Sequence, residues 1–289
     1  MLNKTSRMLM TGALGLAVAG GATAQDDTVE FGWTAWSDAE FVTKLAARLI
    51  NERTDVEAEL TQTDIAPQYQ GVAEGDIDAM MMAWLPATHG DYYEEVAADV
   101  ENLGVLYNGA RLGWVVPDYI PEDQLSSLAD LNDPDVQDKL DGTITGIDPG
   151  AGLTSLSEEA LETYEMDGYN LQTSSGAGMT AALERAVGRD EWLVATGWSP
   201  HWKFGAYELR YLEDPEGALG GPERVHTLAR SGFSAEQPEI AAMLSRMYIP
   251  IDQLQNYMFE ARETSYEEAI GAFIEENPER IDYWLSGDV

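Results

Sequence analysis

The sequence has no cysteine, only three histidines, and 16 lysines and arginines against 52 acidic residues. Without thiols there is no disulfide, no thiolate metal site and no cysteine nucleophile. Nor is there a cysteine to carry a lipid at a mature N-terminus. His89, His201 and His226 supply little for metal or acid–base chemistry, and neither an H-E-x-x-H pair nor a G-x-S-x-G elbow occurs. Ser199 near His201, or His89 with Asp91, are the remaining pairs from which a secreted hydrolase could be built. The chain therefore reads as a non-enzyme, with no catalytic residues, no metal and no cofactor.

Positive charge is scarce enough to matter. A formal net charge of −36 repels nucleic acid and anionic lipid. It also strains a compact state by self-repulsion unless salt screens it, and at 1 M salt the screening length is about 3 Å. The acids are spread along the chain, as in Glu158-Glu159, Glu275-Glu276 and Asp91 to Glu95. They predict a solvated acidic surface suited to saline surroundings, as in halophilic proteins.

Long apolar runs are missing too, with one exception. Lys4 and Arg7 precede an apolar stretch from Met8 to Ala22, which ends in Ala22-Thr23-Ala24. A membrane-spanning helix needs about 20 apolar residues. This shorter run predicts a signal peptide over 1–24, cut before Gln25. The mature protein is then expected to be periplasmic, monomeric, and neither inserted in a membrane nor lipid-anchored.

The remaining sequence alternates strand and helix patterns. Strands are predicted over Val29 to Trp36, Val56 to Leu60 and Ile77 to Trp84. Helices are predicted over Phe41 to Arg53 and Ile65 to Ala73, the second ended by Glu74-Gly75-Asp76. This βαβαβ order is the signature of a parallel sheet covered by helices. After a strand at Leu112 to Pro117 the pattern restarts. It gives a strand at Ile144 to Ile147, the loop Asp148 to Gly152, and a helix from Leu153 to Tyr164 with capping-box spacing at Ser155 and Glu158. A helix at Met179 to Val187 and a strand at Trp192 to Ala195 follow, then a Gly-Pro-Glu loop at Glu213 to Gly221. A return strand at Arg224 to Ser231 and two or three terminal helices complete the chain. The expected class is α/β with two lobes: 25–115 first, 116–222 second, and 223–289 returning mostly to the first.

Tryptophans mark the strand ends. Trp84 precedes Leu85-Pro86-Ala87-Thr88-His89, Trp198 precedes Ser199-Pro200-His201, and Trp36 ends the first strand-like run. Open α/β sheets bind ligands at strand ends. An indole face favours a cation without protons to donate, by about 0.5–2 kcal/mol, and gives hydrated sodium little reason to shed water. These residues point to a quaternary ammonium group. Trp33, Trp114, Trp192 and Trp284 lie in apolar runs or helices and read as structural, and Trp202 reads as packing behind the site. The Asp148-Pro149-Gly150-Ala151-Gly152-Leu153 loop leads a strand into a helix, where unpaired N–H groups can hold an anion. No phosphate-loop lysine follows, so a carboxylate suits it better, with His89 able to add a hydrogen bond. Cation at one end and carboxylate at the other describe a zwitterion.

Three segments carry a resemblance: Ala83 to His89, Gly146 to Leu153, and Thr196 to Trp202. With Asn108-Gly109-Ala110-Arg111 and Gly232-Phe233-Ser234-x-x-Gln237-Pro238, they resemble the glycine betaine/proline betaine binding proteins of osmoprotectant ABC importers. The resemblance implies a two-lobed periplasmic binding protein fold of type II, with the ligand in the cleft. It implies that Trp36, Trp84 and Trp198 form an aromatic cage, that Gly152 and Leu153 offer backbone N–H groups to the ligand carboxylate, and that His89 assists. It also implies an ABC permease with a cytoplasmic ATPase as partner. Asp38, two residues after Trp36, departs from this pattern and matches the related choline-binding proteins, where an acid meets the choline hydroxyl. Betaine leads, choline is the alternative, and dimethylsulfoniopropionate has the same charge layout. On this reading Asp38 matters little to betaine.

Overall fold

The structure, a computed structural model, describes residues 28–288. The predicted signal peptide and its cleavage point lie outside the described residues. Among the described residues no helix is long and apolar enough to cross a membrane.

The chain opens with β1 (Thr28–Trp33), α1 (Ser37–Arg53), β2 (Glu57–Gln62), α2 (Ile65–Glu74), β3 (Ala79–Leu85), α3 (Gly90–Val96) and β4 (Val100–Pro117). It continues through α4 (Pro134–Lys139), β5 (Thr143–Thr145), α5 (Gly152–Thr163), β6 (Asn170–Gln172), α6 (Gly176–Val187), β7 (Val194–Ser199), α7 (Lys203–Ala206), β8 (Leu209–Tyr211) and β9 (Glu223–Arg230). Five helices close it: α8 (Phe233–Glu236), α9 (Pro238–Arg246), α10 (Ile251–Glu263), α11 (Tyr266–Glu276) and α12 (Pro278–Ser286).

The strands form one curled sheet in the order β2-β1-β3-β9-β4-β7-β5-β6, with β8 also on β4. Pairs β1–β2, β1–β3, β5–β6 and β5–β7 are parallel, and antiparallel pairs around β4 and β9 join the two groups. β4 changes partner part-way. Ala110 pairs with Glu223 of β9, and the next residue, Arg111, pairs with Ser199 of β7. The sequence patterning exposes only the buried end of β4, Leu112 to Pro117. Its first half is mostly half-buried and irregular in register around Gly104 and Gly109, whose φ values are 127° and 76°. Bulges of this kind break the period-two pattern on which strand recognition relies.

Two buried clusters accompany the two ends of the sheet. One gathers Phe31, Phe41, Leu45 and Met80 with Phe273 and Trp284 of the terminal helices. The other is built on Trp114, Ile144, Leu128 and Val194. Phe41 meets Tyr257 and Phe273 at ring distances of 6.2 and 6.1 Å, which ties α1 to α10 and α11.

Two local expectations differ from the structure. The helix after the first strand begins at Ser37, four residues before Phe41, because the chain turns at Thr34 and Trp36 becomes its N-cap. The Ser155–Glu158 capping box does not form. α5 already starts at Gly152 with Ala151 as its N-cap, so Ser155 lies inside the helix.

Candidate functional site

A cavity of about 300 Å³, counting its open mouth, lies where the two groups of strands face each other. Trp36, Trp84 and Trp198 line it together with His89, Gly152 and Leu153, and so does Asp38. The structure thus brings every candidate site residue to one place. Trp84 and Trp198 each occupy the penultimate position of a strand, β3 and β7. In both turns that follow, the X–Pro bond is cis, at Leu85-Pro86 and Ser199-Pro200. The Trp36 and Trp198 ring centroids are 6.4 Å apart at 60°, and Trp36 lies 6.3 Å from the His89 ring.

Two of the indoles are held by their N–H groups. Trp36 Nε1 donates to Asp148 Oδ2 at 2.9 Å, and Trp198 Nε1 donates to Asp38 Oδ1 at 3.1 Å. Tyr107 OH donates to Asp38 Oδ2 at 2.7 Å, and its ring stands edge-on to Trp84 at 6.4 Å. One buried carboxylate therefore orients Trp198 directly and fixes the Tyr107 ring that packs against Trp84. Burial raises the Asp38 pKa, and the bonds from Tyr107, Trp198 and the amides of Asp38 and Ala39 oppose that rise.

The same cavity is lined by donors. α5 is a twelve-residue helix, and its N-cap, Ala151, supplies no side-chain cap. The Gly152 and Leu153 N–H groups face no helical acceptor, and the positive end of the helix dipole adds to their pull on an anion. His89 is fully buried. Its Nδ1 lies 3.2 Å from the Trp84 amide, and the Met82 carbonyl is close to the same ring. An amide cannot turn its proton away, so Nδ1 accepts and the neutral ring carries its proton on Nε2. Burial, only partly offset by the Met82 carbonyl, pushes the His89 pKa down to about 3. At neutral pH the ring is an uncharged donor.

The turn that carries His89 is fixed from β9. Buried Glu223 accepts from the Ala87 and Thr88 amides, both at 2.9 Å, and from the Thr88 hydroxyl. Gly152 touches this turn so closely that a Cβ there would sit 2.0 Å from the Thr88 carbonyl oxygen. Tyr92 OH reaches Gly150 O at 3.0 Å. With the Trp36–Asp148 bond, these contacts bridge residues that precede β4 and the Asp148–Leu153 loop.

Other tryptophans stay out of the cavity. Trp114 and Trp284 are buried, whereas Trp33 and Trp192 are half-buried with lysines over their rings. Trp202 stands 5.2 Å from His201 and does not line the cavity. Sequence reasoning did not single out Tyr107 or Glu223, and it read Asp148 only as part of a backbone loop. Their partners lie 69 to 136 residues away, so no local pattern marks them. Among the described residues no cluster of three or more metal-ligating side chains occurs.

A model of the family described as the substrate binding domain of ABC-type glycine betaine transport systems matches residues 27–276. The chain belongs to that family. It is similar to the glycine betaine/carnitine transport binding protein GbuC of Listeria monocytogenes, 35% identical over 156 residues. That match takes in 53% of this chain and 52% of the relative, so it spans about half the relative's length. Lactococcal OpuAC, in a closed-liganded crystal structure with glycine betaine, is 32% identical with a TM-score of 0.83, covering 90% of this chain and 99% of that one. An ABC-transporter choline binding protein in complex with choline is 27% identical with a TM-score of 0.81, covering 91% and 92%. The fold is that of the two-lobed α/β periplasmic binding proteins.

Proposed function

We propose that this protein captures a quaternary-ammonium zwitterion outside the cytoplasmic membrane and delivers it to an ABC permease driven by a cytoplasmic ATPase, for osmoprotection. Glycine betaine leads, with proline betaine beside it. One observation carries the reading: three indoles, two of them anchored by their N–H groups, share a cavity with two helix-start N–H groups that face no helical acceptor and a neutral histidine donor. The indoles would take the methylated cation, and Gly152, Leu153 and His89 the carboxylate. The family is one of transport substrate-binding domains, which favours binding over catalysis. The lobes, 25–115 with 223–289 against 116–222, would close on the ligand because it touches both and so favours the closed state.

Three cation–π contacts of up to about 2 kcal/mol each and two or three charge-assisted hydrogen bonds of about 1.5–3 kcal/mol give roughly 10–15 kcal/mol gross. Association costs of about 4 kcal/mol or more leave micromolar affinity, near about −8 kcal/mol. Calorimetric titration tests this with glycine betaine, proline betaine, choline and dimethylsulfoniopropionate. Trp84→Ala and Trp198→Ala should each weaken the preferred ligand at least about tenfold. Unchanged affinity in both folded variants removes the cage.

Choline is the second reading, favoured by Asp38 on the cavity wall and by the similarity to a choline-binding structure. Against it, both Asp38 oxygens are already engaged by Trp198 and Tyr107. Dimethylsulfoniopropionate shares the charge layout of betaine, and the titration separates it.

A further inference from the structure

Lys203 is one of four lysines in the sequence and is fully buried at the start of α7. Its Nζ lies 4.2 Å from the Trp198 ring centroid and 5.3 Å from that of Phe204, outside the residues that line the cavity. It has no hydrogen-bond partner among the described residues. A buried ammonium without a hydrogen-bond partner is costly, more so than the ring contacts offset, and the carboxylate and histidine near it are already used. Asp38, the carboxylate that acts on it from α1, already accepts from Trp198 at one oxygen and from Tyr107 at the other. His201 turns Nδ1 to the Lys203 amide at 3.1 Å and so accepts there. Arg262 of α10 stands above Trp202 at 5.2 Å and is paired with Glu184 at 3.9 Å.

A ligand cation seated on Trp198 lies within about 6 Å of the same ring, so it and Lys203 Nζ would be no more than about 10 Å apart. At that distance in a water-poor interior, two like charges repel by an amount worth about tenfold or more in affinity. We propose that Lys203 is a specificity-setting residue held as a neutral amine when the cage is filled, because a lysyl ammonium and the ligand's cation exclude one another around Trp198. The amine then fills space behind the indole without competing for it, and the one permanent cation at the ring is the ligand. Burial pushing the Lys203 pKa well below its usual range, with Asp38 opposing, agrees with this. The inference rests on the quaternary-ammonium reading given above.

Two measurements on the full chain test it, using whichever of glycine betaine or choline the wild-type protein binds. Lysine ¹³Cε and ¹⁵Nζ chemical shifts of the saturated complex at pH 7, assigned by the signal missing from Lys203→Met, should show a neutral amine at Lys203. An ammonium shift there overturns the proposal. In titrations, Lys203→Met should bind at least as tightly as wild type. Lys203→Arg, whose guanidinium cannot lose its proton, should bind at least about tenfold more weakly than Lys203→Met. Equal affinities in the Arg and Met variants, with folding confirmed by circular dichroism, overturn it, as does a tenfold loss in folded Lys203→Met. If wild type binds neither ligand, the proposed function fails, a result separate from any of these.

Discussion

The Trp198 indole donates a hydrogen bond to the carboxylate of Asp38, Nε1 to Oδ1 at 3.1 Å, across 160 residues of sequence. The other oxygen of the same carboxylate takes the Tyr107 hydroxyl at 2.7 Å. Asp38 is therefore a post that holds one cage wall, Trp198, and the Tyr107 ring that packs edge-on against a second, Trp84.

Removing that post should loosen the cage for any ligand. Asp38→Ala leaves the Trp198 N–H and the Tyr107 hydroxyl buried without their partner, a loss of about 1–3 kcal/mol each. We expect glycine betaine and choline both to weaken at least about tenfold in titrations of the folded variant. This revises the sequence reading, in which Asp38 is silent toward betaine. A loss confined to choline would instead assign Asp38 to the ligand's hydroxyl.

Gly152 should tolerate no side chain. A Cβ there would lie 2.0 Å from the Thr88 carbonyl oxygen, which Glu223 keeps from retreating by holding the Thr88 and Ala87 amides. Gly152→Ala should hold the two walls apart, weaken betaine at least about tenfold, and reduce the ligand-induced fall in radius of gyration measured by small-angle scattering. Wild-type affinity and compaction in this variant would show that the two walls need not meet.

Much of this arrangement was legible in the sequence, and the missing parts share one cause. Trp36, Trp84, Trp198 and the Gly150–Leu153 loop announce themselves because aromatic and glycine residues at strand ends have few structural reasons to be there. The βαβαβ order around them follows from hydrophobic spacing. Asp148, Tyr107 and Glu223 act through partners far away in sequence, and each would read as ordinary in its own segment. The first half of β4 stayed hidden because bulges at Gly104 and Gly109 erase its alternation. Trp36 was read at a strand end and proved to be a helix N-cap, because a single turn at Thr34 separates the two elements.

Acid should destabilise the fold through its buried histidines. Burial holds His89 at about 3, and burial lowers His201 well below the usual 6.5. Between the folded and unfolded pKa values the unfolded chain binds more protons, so stability rises with pH there and is lost as pH falls below about 6.5. Asp38, with its raised pKa, acts in the opposite sense over its own range. Denaturant titrations from pH 7 to 5 should show stability falling, and His89→Gln should remove up to about 1.4 kcal/mol per pH unit of that slope. A slope unaffected by His89→Gln would mean that this ring titrates normally.

Salt should govern the fold more than the binding. The net charge of −36 is spread over the chain, and such self-repulsion is relieved by screening. The melting temperature should climb strongly with NaCl, while the betaine dissociation constant changes by less than about tenfold over the folded range, since the cavity is screened poorly. A melting temperature flat with salt would contradict the charge argument, and loss of binding on adding salt would contradict the buried site.

The most direct test of the account is a paired calorimetric titration of glycine betaine and choline into wild type and His89→Ala. On the proposed reading His89 Nε2–H donates to the ligand carboxylate, and choline has no carboxylate to lose. The account predicts that wild type prefers betaine, and that His89→Ala weakens betaine by about tenfold or more while leaving choline nearly unchanged. A wild type that prefers choline, with His89→Ala silent toward both ligands, would contradict it.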